Sequence, residues 1–365
     1  MQILAFILML FGVFMLLKPT TPPINFTKTP TLTKTLPFFS PSTLLPPPPV
    51  KSVHAASLTA LNGHTMLAAY FGGSKEAQSD VSIWGNLYTD QTKRWGEAFK
   101  LLSASDLSRQ AHEFVKILGN PVLYTHKDKL YLFVVGASLG GWATSKIYVL
   151  RAPLTNPKDL HFEQILHLSP FLNISHLVRN PPTPTTDGGF ILPIYHELAK
   201  KSPVFLKFSP QVNLQFLLKP NSLKQQLQPS LVPYQNCAFV VFRSYKTERF
   251  YTQSCLDFWH WRKPVLSNLN NYDSANALFN ADGVLYLIYN QALPHNPSAR
   301  SALRLARFNP KSGAFVPLKV LDTSLKGEVS YPCVLIFHDQ VHILYTKERK
   351  GIAHMVFNLA YLKSL

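Results

Sequence analysis

Cysteine is scarce in this 365-residue chain, which has three: Cys237, Cys255 and Cys333. None belongs to a CxxC pair, which excludes a thioredoxin-type redox motif and the common cysteine-based metal sites. An odd count leaves at least one thiol free. Cys237 and Cys255 flank what reads as a strand pair and could meet in an oxidising compartment. Three small buried residues in strands is the equal alternative. Acidic residues are also few, 19 Asp and Glu against 36 Lys and Arg, giving a formal charge of +17. Such a field concentrates anionic ligands: nucleic acid, anionic lipid or acidic glycan. A nuclear-localisation-type basic run, zinc-finger spacing and an RNP-like aromatic motif are all missing, which argues against nucleic acid. The segments around His54 and His196 lack the two-histidine spacing of a zinc site, so neither metal nor cofactor is expected.

What the chain does have is apolar bulk, 46% hydrophobic and 12% aromatic residues, enough for a sizeable core. Its one long apolar run, Ile3 to Leu17, has the length of a signal-peptide core and is slightly short for a full span. No small-x-small cleavage site follows, so residues 1–18 read as an uncleaved anchor. Lysines 18, 28 and 34 lie after the run and none before it, against the usual positive-inside bias. Residues 19–50 are rich in Pro and Thr and end in Pro46-Pro47-Pro48-Pro49, which reads as an extended spacer. The folded domain is then expected over 51–365.

Beyond Val50 short apolar runs alternate with turns: 65–71, 130–135, 238–242, 284–289 and 341–345. They are rich in aromatic and branched residues and bounded by turn formers, which predicts an all-β domain. A polar turn followed by an aromatic recurs at Asp90…Trp95, Asn156…Phe162, Asp257…Trp261 and Asn309…Phe315. The spacing is compatible with blades of about 50 residues if one copy is missing in the second gap. A β-sandwich is the competing architecture.

Dispersed motifs sharpen this: Ser52–Ser57, Phe71-Gly72-Gly73-Ser74 with Asp80–Trp84, Gly119–Leu123, Gly136–Trp142 and Asn173–Pro182. Others are Asp187–Phe190, Pro193–Glu197, Leu227–Ser230, Asn276–Leu278 and Gly327–Pro332. Together they resemble the bacterial sialidase-like family built from BNR (Asp-box) repeats, from about Ser52 to the end. The resemblance implies a six-bladed β-propeller with its site at the axial mouth. It also implies cleavage of an acidic keto-sugar by a tyrosine nucleophile with a glutamate partner, an aspartate acid/base and an arginine cluster on the sugar carboxylate. A tyrosine suits that substrate, since a carboxylate nucleophile would be repelled by the sugar's own charge.

By that resemblance Tyr331 is the nucleophile and Asp80 the acid/base. Arg243 (with Arg249 as a substitute) and Arg300 grip the carboxylate, because a guanidinium matches it as a planar fork. Arg179 is a further sugar ligand. Two positions depart from the family pattern: His54 stands for the first arginine and Gln228 for the glutamate. Lys75 could supply the charge missing at His54, and Glu328 or Glu197 the base missing at Gln228. These changes favour Kdo of lipopolysaccharide over sialic acid. The resemblance extends to membrane-associated Kdo hydrolases that act with a membrane-protein partner. The expectation is an inner-membrane-anchored glycoside hydrolase with its propeller in the periplasm. A noncatalytic propeller that binds acidic glycan or scaffolds a membrane enzyme is the alternative.

Overall fold

The computed structural model describes residues 23–27, 35–271, 273–294, 296 and 298–365. Six antiparallel sheets follow one another along the chain, each a blade of four or five strands. The innermost strands are Ser52–Ala60, Ile117–His126, His176–Val178 with Thr183–Pro184, Gln226–Tyr234, Ala277–Ala281 and Val329–Phe337. The all-β six-bladed propeller expected from the resemblance is therefore the fold.

The five apolar runs of the sequence are all second strands of blades: Thr65–Gly73, Lys129–Ala137, Cys237–Ser244, Val284–Gln291 and Gln340–Lys347. A second strand packs against neighbouring blades on both faces, so its residues are buried continuously rather than alternately. The polar-aromatic repeats all fall at the turn from third to fourth strand, in blades 1, 2, 4 and 5. The copy missing from the second gap belongs to blade 3. There the turn opens with Ser209, which accepts from Asn213 N at 3.3 Å, and its aromatic is Phe216.

Blade 6 takes its outer strand from the other end of the chain. Phe39–Leu44 pairs with Gly351–Asn358, Phe39 opposite Phe357 and Leu44 opposite Ala353, which closes the ring. Pro41 is tolerated because it lies at a register break in an edge strand. The stretch read as a 19–50 spacer thus supplies part of the propeller, which begins before residue 51. Residues 23–27 are also packed on it. Phe26 bridges Thr185 of blade 3, and Ile24 and Phe26 are buried in one cluster with Phe258 of blade 4. The expected anchor, residues 1–18, lies outside the described residues. Among those described, no helix is long and apolar enough to cross a membrane.

Cys237 and Cys255 form a disulfide across neighbouring strands of blade 4, and Cys333 is free and buried. A second buried pair is titratable. Trp95 Nε1 donates to His354 Nδ1 at 3.0 Å, and His354 Nε2 lies 3.0 Å from His342 Nδ1. Burial holds His342 down to about 4, and burial with the His342 charge holds His354 down to about 3. The unfolded chain takes up these protons near pH 6.5 and the native state does not. This contribution to stability is complete above pH 6.5 and falls as the pH drops toward 4. Urea unfolding is expected to show a loss between pH 7 and pH 5 of about 2 kcal/mol for each imidazole. His342→Gln should shrink that loss, and an unchanged loss would contradict the assignment.

Candidate active site

Each site residue arrives by one repeated local device. The innermost strands of blades 1, 2, 4 and 6 break register near their starts, at His54/Ser57, Leu118/Pro121, Leu227/Ser230 and Ser330/Cys333. In blade 3 the innermost strand is split at residues 179–182. Within these bulges Ala55, Gln228 and Tyr331 have φ of +59°, +44° and +55°. A bulge inserts an extra residue and re-aims side chains. His54, Asn120, Arg179, Gln228 and Tyr331 are therefore brought to one end of the axis. Serines in the same strands tie the blades together: Leu123 N donates to Ser57 Oγ and Leu278 N to Ser230 Oγ, each at 2.9 Å.

A second ring of residues comes from the loops joining second and third strands, which end on the same face. Blades 1, 2, 3, 5 and 6 contribute Glu76, Trp142, Glu197, Arg300 and Arg349 in this way. Between the two rings lies a cavity of about 190 Å³, lined among others by Tyr331, Arg243, Gln228, Tyr195, Glu76 and Glu197.

Tyr331 is buried and ringed by guanidiniums. Arg243 Nη1 donates to its phenol oxygen at 2.9 Å. The Arg179, Arg300 and Arg243 guanidiniums lie 5.2, 5.4 and 5.9 Å from its ring centre. Burial by itself raises the phenol, yet Arg243 and Arg300 outweigh it and bring Tyr331 below the usual tyrosine value. The arginines are in turn held by carboxylates. Arg243 Nε donates to Asp273 Oδ1 at 2.8 Å, and Arg300 Nη2 donates to the Asp273 carbonyl at 2.9 Å. Glu328 accepts from Arg300 at 3.5 Å and from Arg349 Nε at 2.7 Å, while Arg349 Nη1 donates to Glu76 at 2.6 Å.

The structure brings together Tyr331, Arg243, Arg300, His54 and Gln228. His54 is fully buried with its ring 4.1 Å from that of Tyr331. Burial, then Arg349, Arg300, Arg179 and Arg243, hold it well below the usual histidine value, so it is neutral. Its Nδ1 is 3.9 Å from Glu328, too long for a hydrogen bond. Gln228 lies between two phenols: its Nε2 donates to Tyr195 OH at 3.4 Å, and its side chain also lowers Tyr331.

Other expected residues stand away from the cavity or hold different partners. Asp80 is exposed and accepts from Ser74 N and Oγ at 2.8 and 2.9 Å, so it closes its own loop, and the carboxylate of that loop at the cavity is Glu76. Lys75 is exposed on the same loop and adds no charge beside His54. Arg249 is exposed at the start of its strand. Glu328 clamps two arginines rather than facing Tyr331 as a base. Arg179 donates to three main-chain carbonyls instead of facing the cavity.

Sequence reasoning missed Glu76 and Arg349. The Arg349 carbonyl accepts from Val53 N at 2.8 Å, which fixes this arginine beside the strand that carries His54. Arg349 thus brings a guanidinium to the neighbourhood of His54 from the last blade. The signal for it is positional: Arg300 and Arg349 occupy equivalent loops of consecutive blades.

A six-bladed propeller whose axial bulges gather a tyrosine among guanidiniums is a sialidase-like arrangement. Residues 64–343 match the BNR repeat-like domain, and the chain belongs to that family. Solved structures agree on the fold. A Dyadobacter fermentans protein of unknown function is 11% identical with a TM-score of 0.68, over 88% of this chain and 99% of that one. Trypanosoma rangeli sialidase is 12% identical with a TM-score of 0.66, over 86% of this chain and 56% of that one, so this chain spans just over half its length. The NanB sialidase of Streptococcus pneumoniae is 12% identical with a TM-score of 0.60, over 89% and 70%. No curated protein matches.

Proposed function

We propose that this protein is a retaining exo-glycosidase that releases a terminal acidic keto-sugar, Kdo of lipopolysaccharide or sialic acid, with Tyr331 as nucleophile. The observation that carries this reading is the phenol oxygen of Tyr331, held at 2.9 Å by Arg243 within an axial cavity and lowered by two guanidiniums. The Tyr331 oxygen bonds to the anomeric carbon as the glycosidic bond breaks. A carboxyl of the 74–80 loop, with Glu76 at the cavity, gives its proton to the leaving oxygen. Water then hydrolyses the tyrosyl-sugar, with the same carboxylate taking the proton. Arg243, Arg300 and Arg349 have further N–H groups for the sugar carboxylate. Trypanosoma rangeli sialidase has been solved with sialic acid, and with 2,3-difluorosialic acid as a covalent intermediate, which makes an acidic keto-sugar the natural first ligand to test.

The Cys237–Cys255 disulfide favours an oxidising compartment. With the apolar run Ile3–Leu17, it fits an inner-membrane anchor and a periplasmic propeller, and the membrane-protein partner is proposed from the resemblance alone. The test is incubation of the full chain, with and without its native membranes, with Kdo-lipid A and with a sialoside. Mass spectrometry should find free sugar from one of them. One observation favours the noncatalytic reading: Gln228 cannot accept a proton, and its Oε1 is buried without a partner. Binding of the free sugar, abolished by Arg243→Ala, with no release from either substrate would establish that alternative.

A further inference from the structure

The face on which the cavity opens and the place where the N-terminal segment meets the propeller are at opposite ends. Innermost strands start at the cavity, since His54, Asn120, Leu177, Gln228 and Tyr331 lie within the first four residues of theirs in blades 1, 2, 3, 4 and 6. Turns from first to second strand and from third to fourth strand therefore lie on the far face. Phe26 bridges Thr185, which sits in the first-to-second turn of blade 3, and Thr27 N donates to the Pro184 carbonyl at 3.1 Å. Thr186 N donates to the Asn25 carbonyl at 2.9 Å. Phe258, which packs on Phe26 at 6.1 Å, is in the third-to-fourth turn of blade 4. Phe39 then enters blade 6 opposite Phe357, again from the far face. The segment is thus fastened twice at the end remote from the site.

Five residues, 18–22, separate the apolar run from Pro23. They reach roughly 18 Å when fully extended. A strand of nine residues, such as Ser52–Ala60, is about 30 Å long, so they cannot carry the chain around to the cavity face. The geometry points to one orientation: where residues 3–17 enter a bilayer, the far face abuts that bilayer and the cavity opens away from it. Among the described residues of the stretch expected to be a spacer, 23–27 and 35–50 lie against the propeller rather than free of it. The acidic sugar is then taken from the aqueous side or from a surface opposite, and a sugar on a lipid of the anchoring bilayer is out of reach. This bears on where the substrate of the proposed glycosidase resides, and it stands whether or not Tyr331 is catalytic.

The test uses the full chain reconstituted into vesicles of phosphatidylethanolamine and phosphatidylglycerol. Gln211→Cys places a donor dye on the far face near the fastened segment, and Leu139→Cys places one on a cavity-face loop; Gln211 and Leu139 are exposed and the native free thiol Cys333 is buried. Energy transfer to a headgroup-labelled acceptor lipid should be clearly stronger from position 211 than from 139. Equal transfer, or stronger transfer from 139, overturns the orientation, and so does failure of the chain to float with the vesicles. Sugar release is scored separately on a soluble substrate. A catalytic failure with the expected transfer therefore sinks the glycosidase reading alone.

Discussion

Tyr331→Phe is expected to lower kcat by ~10³-fold or more, at least about 4 kcal/mol of transition-state stabilisation, while leaving sugar binding within a few-fold. The change removes one oxygen, the one Arg243 Nη1 holds at 2.9 Å, and keeps the ring that packs against His54. A glutamate partner would serve such a tyrosine as base, but its charge would also raise the phenol. With Gln228 in that place the guanidiniums of Arg243 and Arg300 act unopposed from that side, and the amide can donate to a phenolate. Electrostatic pairing can thus take over part of what a base does, with the proton passing to solvent as the phenol oxygen bonds to the anomeric carbon. Steady-state kinetics on the released sugar, with calorimetry for binding, check this. If turnover survives in Tyr331→Phe, the nucleophile is elsewhere; if neither variant nor parent turns over, Gln228 marks a binding protein.

Much of the fold was legible because a propeller writes its inner architecture locally. The five apolar runs are second strands buried on both faces, and a polar turn before an aromatic recurs wherever a third strand turns into a fourth. What local pattern cannot show is pairing between distant segments. Phe39–Leu44 reads as Pro-containing linker, and only its partner Gly351–Asn358, some 300 residues on, makes it a strand. The site divides in the same way. Tyr331, His54 and Gln228 sit on innermost strands whose short motifs carry the resemblance, and Arg243 and Arg300 follow from it by position. Arg349 and Glu76 sit in loops between second and third strands, in the last and first blades, and meet only when the ring closes. Asp80 shows the converse. Its position matches the resemblance, but Ser74 lies in the same loop and holds its carboxylate.

Arg179→Met is expected to destabilise the fold by about 3 kcal/mol, a fall in Tm of about 6 °C for a chain of this size. Arg179 is 2% exposed, and among the described residues no carboxylate pairs with it. From blade 3 it donates to Ala56 O of blade 1 at 3.1 Å and to Tyr331 O and Pro332 O of blade 6 at 2.9 and 3.0 Å. Those carbonyls belong to bulges, where the strand ladder leaves main-chain groups unpaired. One planar fork therefore satisfies three acceptors across the axis and holds the backbone that aims Tyr331. Methionine keeps the volume and leaves the three buried carbonyls without a donor. Lysine keeps the charge and lacks the fork, so Arg179→Lys should restore only part of the loss. Thermal unfolding separates this role from that of a sugar ligand. A ligand-gripping arginine would leave Tm unchanged in Arg179→Met and weaken sugar binding alone, and that outcome would return Arg179 to the cavity.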